Sequence, residues 1–361
     1  MSLVGIGGHR LSTSNDQWRE AMAAYLTKCA GTKVTIDRVE QPSGTGFSSA
    51  TSILTISGAG MPPKVVVQGA PDQQTALFEH YDIARTFRMQ RALAAHHVPV
   101  ADMLWLCEDI DVIGVPYYVM AHVPGKVPPD RPPYHVGGWF ADALPADQAT
   151  LWLAGLEAMA VLHQVTPESL PFIPTTPAEQ LIPHLLATWQ KFHAKLDRYG
   201  DPLLRDALLK LAATAPTVER VSAHWGDAKL GNLMFDQGRV AAILDWELCG
   251  ISAPEEDVAH YFAVDWFLST GTGNARLAGL PNVEASLQHY ARHGAIDSAA
   301  MGWWFAFALV RMAIIFQRAR SVVARQAPER QLRPNPLTNH LAQIVSGATW
   351  NQYQSTARGL V

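Results

Sequence analysis

The chain has 361 residues, 48% hydrophobic and 17% charged, with a formal net charge of −4; this describes a globular protein of about two domains and excludes disordered, collagen-like and coiled-coil classes. Lys and Arg number 28 against 32 Asp and Glu, so there is no cationic excess to grip a phosphate backbone, and nucleic acid is not an expected partner. Cys29, Cys107 and Cys249 are too few and too scattered for a disulfide scaffold or a zinc site, and a reducing cytoplasm is the expected location.

The opening stretch lacks a basic segment followed by an apolar one, so no signal peptide is expected. Residues 13–30 carry apolar residues at helical spacing. Two strand-like runs follow, VTIDRVEQP and TSILTIS, separated by the Gly-rich SGTGFSSA, and a third lies at Lys64–Gln68. Residues 74–95 read as a helix, and strands are expected at Met103–Glu108 and Pro116–His122. The order predicts a small α+β domain over residues 1–122. The proline-rich run from Pro124 to Pro133 cannot be helix or central strand and reads as a link or structured boundary loop. Residues 123–361 form the second domain, with helices expected at 147–163, 178–199, 203–213, 255–268 and 299–325. The longest apolar run, Ala299–Val310, is broken by Arg311 and falls short of the ~20 residues that span a bilayer. It predicts a core helix and no membrane partner.

The helical pattern is interrupted at Ala223–Glu247. Leu233–Phe235 and Val240–Leu244 flank the turn-forming Asp236-Gln237-Gly238-Arg239, which predicts a hairpin. Opposing Asp236 to Arg239 pairs Asn232 with Ile243 and puts Asp245 two residues beyond, at the same open end, ~7 Å along. An amide and a carboxylate there suit Mg²⁺, which keeps water and substrate phosphates as its other ligands. Asp227, five residues before Asn232, lies on a loop able to curl over the same end. An Asp, an Asn five residues on, and a metal-binding Asp on the following hairpin form the pattern used for phosphoryl transfer. In that pattern Asp227 accepts the proton of an incoming hydroxyl, Asn232 and Asp245 hold Mg²⁺, and Lys229 either reaches the transferred phosphoryl group or is an exposed lysine.

Trp225-Gly226-Asp227-Ala228-Lys229-Leu230-Gly231-Asn232, followed by Ile243-Leu244-Asp245-Trp246-Glu247, resembles the aminoglycoside phosphotransferase family, and more closely its branch of kinase-like domains found beside acyl-CoA dehydrogenases. Val98-Pro99-Val100, Cys107-Glu108-Asp109, Gly114–Met120 and Glu255–Ala259 match in family order. The resemblance implies an α+β, protein-kinase-like fold of two lobes: a small antiparallel-sheet N-lobe and a larger, mostly helical C-lobe. It implies ATP (or GTP) and Mg²⁺ as cofactors and a small-molecule hydroxyl as acceptor. It also implies that the Met120–His122 backbone meets the nucleotide base and that Asp257 braces the catalytic loop from behind. Gly46 and Ser48 belong either to a phosphate-covering turn or to a plain hairpin. Gln68 fills the strand position where relatives place a Lys or Arg for the phosphates, and Thr86 falls where its paired helix Glu would be. Joint loss avoids stranding one partly buried charge, and leaves two readings: a kinase with a rerouted phosphate grip, or a nucleotide-binding module without transfer. Two acceptor classes follow. A polycationic aminoglycoside would need an acidic wall, with Asp197, Asp201 and Asp265 as candidates. A hydroxyacyl compound would suit aromatic walls around Trp303, Trp304, Phe305 and Phe307, which otherwise read as core. Oligomeric state is not legible.

Overall fold

The computed structural model describes residues 16–41, 50–71, 76–79, 81–196, 201–326 and 334–356. These divide into a smaller unit, residues 16–95 and 100–124, and a larger one, residues 96–99 and 125–356.

In the smaller unit, helix α1 (Asp16–Ala30) is followed by strands β1 (Thr35–Glu40), β2 (Ala50–Ser57) and β3 (Lys64–Gly69), then α2 (Ile83–Ala94), β4 (Met103–Cys107) and β5 (Tyr117–Ala121). The five strands form one antiparallel sheet in the order β1-β2-β3-β5-β4. Alternate residues of β2 and β3, among them Leu54, Ile56, Val65 and Val67, meet Trp18, Met22 and Leu26 of α1 in one core, as the period-two pattern requires. Helix α2 is shorter than residues 74–95 suggest. Asp82 caps it, its carboxylate accepting from the Arg85 N–H at 2.8 Å, and the described residues just before it are not helical. A capping acid three residues before a free N–H ends a helix more firmly than periodicity extends it.

The larger unit holds α3 (Pro145–Leu162), α4 (Ala178–Ala194), α5 (Pro202–Ala213), β6 (Ser222–His224), β7 (Leu233–Asp236), β8 (Arg239–Ile243), β9 (Gly250–Ser252), α6 (Pro254–Leu268), α7 (Val283–Ala291), α8 (Met301–Gln326), α9 (Leu341–Val345) and α10 (Ala348–Thr356). Every residue of α6 except Phe267 is buried. Helix α8 packs along it, with Trp304, Phe305 and Phe307 at 1% exposure or less. Those three rings are therefore core and do not wall a substrate. Trp303 stacks on Phe307 at 5.5 Å and donates its indole N–H to the Leu211 carbonyl. Among the described residues no helix is long and apolar enough to cross a membrane.

Candidate active site

The hairpin β7–β8 turns at Gln237 and Gly238, both at positive φ (47° and 78°), as a two-residue turn matching strand twist requires. Asp236 opposes Arg239 as expected, but the register then slips. Phe235 pairs with Val240, whereas Met234 pairs with Ala242 and Leu233 with Ile243. The extra residue, Ala241, is a bulge, and the expected Asn232–Ile243 pairing is corrected by one position. The Leu244 N–H donates to the Asn232 carbonyl at 2.9 Å, so Asp245 follows the residue opposite Asn232. The 3-10 turn Leu230–Asn232 delivers Asn232 into this end of the hairpin.

Asp227 is gripped from two sides. The Asn232 amide donates to its Oδ2 at 2.8 Å and to its main-chain oxygen at 3.1 Å, and His260 Nε2–H donates to Oδ1 at 3.2 Å. Burial pushes the Asp227 carboxyl up. The Lys229 charge, with the His260 and Asn232 hydrogen bonds, more than offsets this and holds it well below the usual carboxylate range. His260 is also lowered, mainly by burial and the Arg311 charge, against the pull of Asp227. It serves as a neutral donor. Lys229 is not an exposed lysine: its ammonium lies 2.6 Å from Asp130 Oδ2, and the charges of Asp130, Asp227 and Asp245 outweigh burial and keep it firmly protonated.

Asp245 sits at φ 56°, a left-handed conformation that Asp tolerates better than most residues. Among the described residues its carboxylate has no hydrogen bond or ion pair. Burial raises it to about 6, Asp227 and Asp130 push the same way, and Lys229 opposes them. An under-partnered acid next to an amide whose nitrogen is already committed suits a hard cation. Asn232 keeps its carbonyl oxygen and Asp245 its carboxylate, an all-oxygen pair that fits Mg²⁺.

The loop that carries Asp227 is held from behind. Asp257, in the first turn of α6, accepts from the Trp225 N–H at 2.7 Å and the Gly226 N–H at 2.8 Å. It also accepts from His163 Nε2–H at 3.1 Å, and His224 Nε2 lies 3.2 Å away. Arg311 donates to the Gly226 carbonyl at 2.7 Å and to Glu256 at 2.6 Å. Gly226 has φ 94°, and a Cβ there would collide with the Leu248 carbonyl oxygen, so only glycine fits. Trp225 anchors the loop through its indole N–H to the Leu244 carbonyl.

Sequence reasoning did not single out Asp130 or the support given by His163, His260 and Arg311. Asp130 lies 99 residues from Lys229, inside the proline-rich run. Two of the three acidic-wall candidates are committed elsewhere. Asp265 is fully buried, bonded to Arg276 at 2.6 Å and to the hydroxyls of Tyr134 and Tyr353 at 2.8 Å. Asp201 caps α5 by accepting from the Leu203 N–H. Asp197 lies outside the described residues, as do Gly46 and Ser48.

In the smaller unit Gln68 accepts from the Tyr118 hydroxyl at 2.7 Å, and Thr86, buried on α2, donates to the Asp82 carbonyl. Met120 pairs with Val66. The N–H groups of Ala121 and His122 already donate to Asp102 at 2.9 Å and Lys64 at 3.2 Å.

A small antiparallel-sheet unit and a mostly helical unit that carries this Asp-Asn-Asp cluster are the two parts of a kinase-like phosphotransferase fold. The family model "Phosphotransferase enzyme family" (APH) matches residues 41–294, and the chain belongs to that family. It is 26% identical over 339 residues to acyl-CoA dehydrogenase family member 10 of Mus musculus, covering 90% of this chain and 30% of that protein. It is 28% identical over 239 residues to the Homo sapiens family member 11, covering 63% and 30%. The chain thus spans about 30% of the length of these curated relatives. Among solved structures, a Ralstonia eutropha protein assigned as an aminoglycoside phosphotransferase aligns with a TM-score of 0.67 at 23% identity, covering 94% of this chain and 98% of that one. The macrolide 2'-phosphotransferase MphH of Brachybacterium faecium aligns at 0.54 and 14%, covering 95% and 99%. A ternary complex of aminoglycoside phosphotransferase APH(4)-Ia with AMP-PNP and hygromycin B aligns at 0.54 and 15%, covering 94% and 100%.

Proposed function

We propose that the chain transfers the terminal phosphoryl group of ATP (or GTP) to a hydroxyl of a small molecule. The observation that carries this reading is Asp227, kept ionised by Lys229, His260 and Asn232 beside an under-partnered Asp245. Asp227 orients the incoming hydroxyl and takes its proton. A carboxylate held this low is a weak base, and a loose, metaphosphate-like transition state asks more for orientation than for a strong nucleophile. Asn232 and Asp245 hold Mg²⁺, which neutralises charge on the nucleotide phosphates. Lys229, steadied by Asp130, offers a fixed positive charge to the moving phosphoryl group. With Asp265 consumed by Arg276 and Asp201 by a helix cap, two of the three acids expected to meet a polycationic acceptor are committed elsewhere. Similarity to acyl-CoA dehydrogenase family members 10 and 11 favours a hydroxyacyl acceptor. Three free cysteines and a need for ATP fit the cytoplasm.

Asp227→Ala tests the assignment through ADP release with hydroxyacyl and aminoglycoside acceptors. Loss of turnover with an unchanged melting transition is expected, and unchanged turnover would overturn the reading. A second reading, nucleotide binding without transfer, is favoured by Gln68, whose carbonyl is engaged by Tyr118 where a cation is expected. ATP·Mg²⁺ raising the melting temperature with no ADP formed across an acceptor library would select it. Under a rerouted phosphate grip, Gln68→Lys with Thr86→Glu should tighten ATP binding.

A further inference from the structure

Away from the Asp227 cluster, α3 and α7 bring together a carboxylate and two imidazoles. His289 stands in the last turn of α7, and His293 follows four residues later, just past the helix end. Glu157 of α3 faces both, with its Oε1 2.7 Å from His289 Nε2 and 3.9 Å from His293 Nε2. The imidazole rings are 5.4 Å apart, and the three potential ligand atoms lie within 4.8 Å of one another.

We infer that Glu157, His289 and His293 form a binding site for a divalent transition-metal ion of the Zn²⁺ type, pinning α7 to α3. Zinc ligands at ~2.0–2.2 Å in tetrahedral array stand ~3.3–3.6 Å from one another, and the two distances to Glu157 bracket that spacing. Small side-chain rotations therefore bring the set to coordination. Two imidazoles and one carboxylate suit zinc rather than magnesium or calcium, which take oxygen donors. The carbonyl end of α7 also favours a cation. The His293 backbone is already fixed, its carbonyl accepting from the Gln164 amide at 2.8 Å. The side chains of Glu157 and His293 are 48% and 43% exposed, so water can complete the coordination and the ion can enter from solvent. The remainder of α7 is bound inward, with the Tyr290 hydroxyl 2.7 Å from His163 Nδ1.

The site is tested on the full, untagged, metal-free chain by calorimetric titration with Zn²⁺ in excess Mg²⁺, and by the visible absorption of Co²⁺ in its place. One ion per chain is expected. His289→Ala and His293→Ala should each abolish the Co²⁺ bands and weaken Zn²⁺ by more than the roughly 10–100-fold that follows loss of an outer-shell partner. Glu157→Gln should weaken it as well. Metal-free melting curves close to that of the unaltered chain keep these variants interpretable. No Zn²⁺ uptake by the unaltered chain, or uptake indifferent to His289 and His293, would overturn the site. Binding unchanged in Glu157→Gln would overturn the three-ligand set, and binding abolished instead by Asp245→Asn would assign the ion to the phosphotransfer cluster.

Discussion

Asp245→Asn should make the metal-free protein more stable while disabling it. The carboxyl titrates at about 6 in the fold against ~3.9 in an unfolded chain. A raised folded value means that protonation favours the native state. The contribution is fully present below ~3.9, declines as pH rises, and is gone above about 6. At pH 7 the ionised group therefore opposes folding by two units of ~1.36 kcal/mol, about 3 kcal/mol as a ceiling. Asp245 retains some solvent access, and screening reduces this to ~1–2 kcal/mol. Asn is nearly isosteric and tolerates the left-handed backbone at φ 56°, so removing the charge is the dominant change. Denaturant unfolding in EDTA at pH 7 should show the Asn variant ahead by that margin, with the gap closing near pH 4. Adding Mg²⁺ and ATP should invert the order, because only the unaltered chain keeps its carboxylate for the ion. An Asn variant equal to or weaker than the unaltered protein at pH 7 without metal would refute the argument.

Asp257→Ala strands the Trp225 and Gly226 N–H groups; at ~1–3 kcal/mol for each buried unpaired donor, denaturant unfolding should register a loss of about 2–6 kcal/mol. A loss below ~1 kcal/mol would mean that the loop supports itself. His163 and His260 are both lowered, chiefly by burial, so their contribution is complete above the unfolded value of ~6.5 and is lost as pH falls below it. Stability should decline towards pH 5 by up to ~1.36 kcal/mol per pH unit for each, with a shallower slope in His260→Asn. Asp130→Ala breaks a partly exposed ion pair, worth less than ~1 kcal/mol. Steady-state ADP release should nonetheless fall roughly tenfold to hundredfold as Lys229 loses its fixed position.

The hairpin and the gathering of Asp227, Asn232 and Asp245 at its open end are readable in the sequence because everything that defines them is local. Gln237-Gly238 supplies both positive φ angles, and Asp227, Asn232 and Asp245 sit within one short stretch. The register slip at Ala241 is not readable, because a bulge leaves the alternation of a short strand ambiguous. The strands β6 and β9, three residues each, are too short to carry a period. Asp130 was missed and Asp265 misread for a different reason. Each is defined by a cation brought to it by the fold, Lys229 from 99 residues away and Arg276 from 11, and composition gives no sign of either pairing. A charged residue in a proline-rich run or on a helix reads as solvated until its partner is known.

The same dependence on distant partners explains why three consecutive acids open α6, a helix buried at every residue but Phe267. Glu255, Glu256 and Asp257 lie in the first turn of α6, where the helix dipole favours negative charge, yet dipole alone does not compensate for burying three carboxylates. Each has a separate commitment. Glu255 accepts from the Asp297 N–H at 2.8 Å, Glu256 from Arg311 and from Ser252, and Asp257 from the loop that presents Asp227. Apolar replacement of such a network often leaves stability unchanged or improves it, so stability is a poor reason for its presence. What the network uniquely supplies is position. Through Arg311 on α8 and Asp257 on α6, both the carbonyl and the N–H of Gly226 are fixed one residue before Asp227. The role proposed for Asp227, orientation of a hydroxyl rather than strong proton affinity, requires a backbone held in this way.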